Sequence, residues 1–163
     1  KMPLLPEGSE APPFALTAAV SERPVNLQIS ADKLLLIFHT YHTAVLVGSI
    51  VKTVRETYHD PEQLFIASVT DLRSIPRLLH GVARKIIRDA YHQAAQEVPE
   101  GEDPTDHIII LPDWKGKAFT AYQVPESNNQ VSLALIDRAR LIQGTYLGDD
   151  PLPEALALLN GRN

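Results

Sequence analysis

The chain is 163 residues long, carries a formal net charge of −5 and contains no cysteine. These facts exclude disulfides, zinc–thiolate and iron–sulfur sites and thiol nucleophiles, and they make nucleic acid and acidic membrane surfaces poor partners. No apolar run approaches the roughly 20 residues a membrane helix needs, so a soluble protein is expected, cytoplasmic if the chain is whole, since no signal-peptide pattern opens it. The length suits a single domain spanning 1–163.

In chain order, Leu5–Leu16 holds Pro6, Gly8, Pro12 and Pro13 and reads as an irregular lead-in. Phe14–Val20 and Val25–Ile29 flank the polar Ser21-Glu22-Arg23-Pro24 and predict a hairpin. Leu34–Phe38 is continuously apolar, as a strand covered on both faces must be. From Thr43 to Tyr58, Val47, Ile50, Val51 and Val54 recur at helical spacing, with Thr43 available as an N-cap. Gln63–Val69 predicts a second buried strand. Ser74-Ile75-Pro76 opens a longer helix with a capping serine, in which Ile75, Leu78, Leu79, Val82, Ile86, Ala90 and Ala94 form the core-facing stripe.

Glu97–Asp106 is acidic, contains Pro99, Gly101 and Pro104, and reads as a solvated loop. His107–Leu111 predicts a third strand, Lys117–Gln123 a short helix, Val131–Ile136 and Leu141–Tyr146 a hairpin turning at Asp137–Arg140, and Leu152–Leu159 a final helix. Strands separated by helices imply right-handed parallel crossovers, so the expected fold class is α/β, a mixed central sheet with helices on both faces and an N-terminal β-hairpin.

This order of elements resembles the thioredoxin-like fold of the redoxins. Gly8, Ala11, Pro12, Phe14 and Leu16 are similar to the opening of alkyl hydroperoxide reductase and thiol-specific antioxidant relatives. Leu135-Ile136-Asp137-Arg138 with Ile142, Gly144, Tyr146 and Gly148 resembles their terminal hairpin, with Ala139 read where glycine is usual. The resemblance implies a reactive site just after Phe38. There, however, Thr43 and Leu46 stand at the two thioredoxin cysteine positions and Val47 at the peroxiredoxin one, while Val131 replaces the cis-proline. Fold is the part of the resemblance that carries over; catalytic residues do not, and the expected chain is neither a thiol-dependent oxidoreductase nor a peroxidase.

Several side chains remain as ligand-binding candidates: His39, Tyr41, His42 and Thr43 at the end of the central strand, where ligands gather in open α/β sheets. His39 and His42 could be core filling, could bind an organic ligand or partner, or could supply two ligands to a metal or haem, the only cofactor the sequence suggests and one that needs further ligands. Thr43 could cap the helix or hold an anion. Arg77, Arg84 and Arg88, with His80 on the same helix face and Arg73 and Lys85 nearby, could meet phosphate or an acidic partner, or be a solvated face pairing with Glu97–Asp106. Trp114 is either a partner anchor or a ring over the core. The expected function is a redox-inactive binding module for a protein partner or small ligand, with a metal- or haem-dependent redox enzyme as the alternative.

Overall fold

The computed structural model describes residues 4–161. Its central element is β3 (Lys33–His39), whose residues Leu34 to Phe38 are at most 1% exposed. An apolar strand of this kind has to be covered from above and below. Around it forms a five-stranded sheet with β4 (Leu64–Asp71), β5 (Ile110–Asp113), β6 (Val131–Ile136) and β7 (Ile142–Gly148), in the order β5-β4-β3-β6-β7. β3, β4 and β5 run parallel; β6 and β7 are antiparallel. Leu35, Ile37, Leu64, Ile66, Leu133 and Leu135 face α1 (Ala44–Thr57) and α5 (Pro151–Leu159), both of which supply buried residues to that layer. Leu34, Leu36, Phe38, Phe65, Ala67 and Val69 face the opposite way. They are covered by α4 (Lys117–Ala121) and by the hairpin of β1 (Ala15–Thr17) and β2 (Pro24–Asn26). The expected mixed sheet, two helix-bearing faces and N-terminal hairpin are all present.

Short motifs fix the joints. The lead-in pairs with the start of β7, Gly8 donating to Ile142 O, Ile142 to Ser9 O and Ala11 to Arg140 O. Gly144 lets α5 approach β7, because a Cβ there would collide with Leu158. α4 begins where the buried Asp113 carboxylate accepts the backbone N–H groups of Lys117, Ala118 and Phe119 at 3.0, 2.9 and 3.2 Å. Three donors that a helix start leaves without partners are thereby satisfied by one anion. In the β6–β7 turn the left-handed residue is Arg140, with φ 66°, rather than Ala139. An arginine tolerates this glycine-like backbone because its guanidinium is strapped to the carbonyls of Ile29 and Ala31 at 2.6 and 3.2 Å.

Other boundaries also differ from expectation. The hairpin strands are three residues each, since Val20 and Glu22 adopt positive φ and turn the chain early. His107 belongs to a one-turn helix, α3 (Pro104–His107), capped by Asp103 within the acidic segment, so β5 starts only at Ile110. Val131 opens β6 as expected, and no peptide bond among the described residues is cis.

The largest correction concerns the second long helix. Ser74 does not cap it: the chain enters a 3₁₀ turn (Arg77–Leu79) after Pro76 and then α2 (His80–Ala95), with no side-chain cap at either start. The buried side of α2 is set by Tyr91, with Ile87 and Ala83 one and two turns before it, so the expected core-facing stripe of Leu78, Leu79, Val82 and Ile86 is turned to solvent. Apolar residues occupy about half of the circumference of α2, and helical geometry allows only one part of that arc to face a neighbour. Tyr91, Ile87 and Ala83 take the inside.

Replacing Asp113 by alanine should lower the free energy of unfolding by about 2 kcal/mol, because three buried N–H groups lose a charged acceptor. Asp113→Asn should cost less. Denaturant unfolding followed by circular dichroism checks both; an unchanged midpoint in the alanine variant would contradict the capping role.

Candidate functional site at the end of the sheet

β3 and β4 finish side by side, His39 opposite Thr70. Directly after β3 the chain makes a 3₁₀ turn (Tyr41–Thr43) and enters α1. Thr40 caps this turn, its hydroxyl accepting from His42 N at 3.3 Å. Thr43, expected as a cap or an anion holder, is neither: it is buried, and its hydroxyl donates to Thr40 O at 3.1 Å. The hydroxyl proton is directed at a carbonyl, which cannot act as the base that would make threonine a nucleophile.

The two histidines part company. His39 is buried, and both ring nitrogens are engaged: Nδ1–H donates to Thr40 O at 2.8 Å, and Thr70 Oγ1 donates to Nε2 at 3.2 Å. The carbonyl can only accept, which assigns the proton to Nδ1. Desolvation pushes the ring down to a pKa of about 4, against a smaller upward effect of the Thr40 hydrogen bond. His39 is therefore a neutral core histidine joining β3 to β4. His42 is exposed and stacks on Tyr41, ring centroids 4.0 Å apart. The two are not aimed at a common point, and among the described residues no group of three or more His, Cys, Asp or Glu could hold a metal. The residues present do not fit the suggested metal or haem.

On the neighbouring loop, Arg73 donates to both Asp71 carboxylate oxygens at 2.9 and 2.7 Å, lies 3.7 Å from Glu126 and rests 5.3 Å from the Phe119 ring centroid. Gly116, at φ 69°, leaves space for it; a Cβ there would strike the Arg73 side chain. This lock ties the end of β4 to α4. It is a structural device that spacing alone did not reveal, because its members are far apart in sequence.

The basic residues of α2 also separate. His80 stacks on Trp114 at 4.2 Å and the Arg84 guanidinium lies 4.9 Å from that ring, so Trp114 is a half-buried platform for the helix rather than a free anchor. Lys85 pairs with Asp89 at 2.8 Å. Arg77 and Arg88 are exposed and have no salt bridge among the described residues, and the ion pairs of the acidic segment lie elsewhere: Asp106 pairs with Arg23 and Glu102 with His107. Asp113 faces α4, and Trp114, the next residue, faces α2. A right-handed β4–α2–β5 crossover, the hand that parallel strands take, puts α2 on the α1 side of the sheet.

The same sheet end is unusually apolar. Of the seven large apolar side chains exposed among the described residues, six are Tyr41, Val45, Leu78, Leu79, Val82 and Ile86, on the 3₁₀ turns that lead into α1 and α2 and on the opening turns of the two helices. Val45 is 87% and Leu78 96% exposed. Sequence periodicity had assigned the α2 members to the core; an excess of apolar residues over half of the helix was the available signal. Two clefts, of about 480 and 240 Å³, lie elsewhere, one lined by Asp60, Glu62 and Glu102 at the start of β4, the other by Phe14, Leu16 and Lys117 beneath the hairpin.

The strand order, the crossovers and the position of Thr43 at the start of α1 define a thioredoxin-like fold with the N-terminal hairpin of the redoxins, lacking cysteine. Solved structures of that class are its neighbours. The protein described as thiol:disulfide interchange protein DsbE of Chlorobium tepidum is 18% identical with a TM-score of 0.61, the match covering 95% of this chain and 99% of that one. The exposed lipoprotein thioredoxin Etrx1 of Streptococcus pneumoniae is 16% identical, TM-score 0.63, over 91% and 98% of the two chains. Mycobacterium tuberculosis AhpC is 13% identical, TM-score 0.57, over 97% and 93%. At these identities the likeness is one of fold. No protein-family model matches the sequence, and no curated protein matches it. No helix among the described residues is long and apolar enough to cross a membrane.

His39 makes stability depend on pH. The unfolded chain takes up a proton near the ordinary value of 6.5, the folded chain only near 4, so its contribution is complete at neutral pH and declines as the pH falls through that window. The wild type should lose about 2 kcal/mol more than His39→Gln between pH 7.5 and 4.5. Urea midpoints read by Trp114 fluorescence test this, and parallel losses in both proteins would place His39 in a different protonation state.

Proposed function

We propose that the chain is a thiol-free thioredoxin-fold module that binds a protein partner across the end of the sheet where a redoxin holds its cysteines. The observation that carries this reading is the concentration of six exposed apolar side chains on the 3₁₀ turns that lead into α1 and α2 and on the opening turns of the two helices. Patches of this kind on a soluble surface mark interaction sites, because leaving them in water forgoes their hydrophobic stabilisation. Tyr41, Val45, Leu78, Leu79, Val82 and Ile86 supply the contact area, and the stacked His42 and Tyr41 add a rigid polar edge. Sulfur chemistry takes no part, since the 163 residues hold no cysteine. A metal-dependent redox activity has no support in the geometry of His39 and His42.

The reading predicts where a partner touches. A photo-crosslinking benzoylphenylalanine placed at Val45 or Leu78, in cells of the source organism, should form an adduct of the same mass at both positions. The exposed Glu62 at the opposite end of the sheet serves as the control. Adducts from Glu62 alone, or from none of the three positions, would reject this face as the binding surface.

A further inference from the structure

The charges around the apolar face narrow the chemistry of what covers it, and this step rests on the binding reading above. Between Arg73 and Arg88 there are five arginines and lysines and no aspartate or glutamate, in a chain whose net charge is −5. Arg73 is neutralised by Asp71 and Lys85 by Asp89. Arg77, Arg84 and Arg88 make no salt bridge within the described residues; Arg84 is held against Trp114 and the other two are exposed. The acid nearest in sequence, Asp89, is already occupied by Lys85.

Helical spacing puts Leu79, Val82, Ile86 and Ala90 along one flank of the exposed side of α2 and Arg88 along the other, while Arg84 lies on the Tyr91 side against Trp114. Val82 and Arg88 are about a third of the circumference apart, within the span that one packed helix and its side chains cover. A second copy of the chain laid on this face would bring two sets of unneutralised guanidinium groups together, which opposes association. An acidic partner neutralises them.

We propose that the occupant of the α1–α2 face is an acidic amphipathic helix of another protein, its apolar side seated on Leu79, Val82 and Ile86 and its carboxylates meeting Arg77 and Arg88. The mode is the seating of one amphipathic helix on the apolar face of another, with charge setting the choice of partner. The apolar contacts hold the helix; the arginines reject basic sequences of the same shape.

Two labelled peptides of about 15 residues test the charge rule, long enough to form a helix when bound. Both carry leucines at three- and four-residue spacing, one flanked by glutamates and the other by lysines. In anisotropy titrations the glutamate peptide should bind about tenfold more tightly or better, and its affinity should fall as salt is raised. Charge reversal in Arg77→Glu/Arg88→Glu, checked for folding by circular dichroism, should invert the preference, and Val82→Asp/Ile86→Asp should weaken both peptides.

Equal affinity for the two peptides, or no affinity for either, overturns the proposal. So does Val82-dependent dimerisation in sedimentation, which makes a second copy the occupant, or Val82-dependent binding to phosphatidylserine vesicles, which makes it a lipid surface. Crosslinks at Val45 and Leu78 without binding of the glutamate peptide reject the acidic helix and keep the binding face; loss of both rejects the two together.

Discussion

The structure depends on one constraint, that both faces of β3 must be kept from water. Leu34 to Phe38 leave no polar side for solvent, so the chain has to provide a layer above and a layer below. α1 and α5 form one; α4 and the β1–β2 hairpin form the other. The joints serve the same end. Asp113 starts α4 at the place where its Phe119 can meet Phe38 edge-on, ring centroids 5.2 Å apart, and Gly144 brings α5 down onto the other face. The Arg140 strap draws the β6–β7 turn to the segment that leads into β3.

α2 stands outside this economy. It bridges the parallel strands β4 and β5, and β5 is a four-residue edge. Tyr91 and the stacking of His80 and Arg84 on Trp114 hold it in place, leaving more than half of each of Val82 and Ile86 exposed. The helix that the core needs least, with the turn that leads into it, therefore carries the largest share of the exposed apolar side chains.

The fold was legible because its strongest signals are local. The unbroken Leu34–Phe38 run, the Val47, Ile50 and Val54 spacing and the Val131–Ile136 strand each announce their element without reference to distant residues. The candidate site was only half legible. His39 and His42 look equivalent as a His-x-x-His pair, yet the strand points one imidazole into the core, beside Thr70, and the turn sends the other out. No local pattern contains Thr70, which is 31 residues away. The same holds for Arg73, Asp71, Gly116 and Glu126, a set assembled by the sheet. On α2 the period was right and the facing was wrong, because periodicity reveals that a helix has an apolar arc but does not say which part of the arc meets its neighbour.

The hydroxyl of Thr43, turned back onto Thr40 O at the point where a redoxin keeps sulfur, bears on when this surface is open for business. A cysteine there would exist as thiol, thiolate, disulfide or sulfenic acid, each with its own shape and charge. Threonine has one state. The only sulfur in the 163 residues is the thioether of Met2, so neither glutathione poise nor peroxide can rewrite the start of α1. A cysteine at such a helix terminus registers the electron supply around it; here the start of α1 presents the same chemistry in an oxidising compartment as in a reducing one.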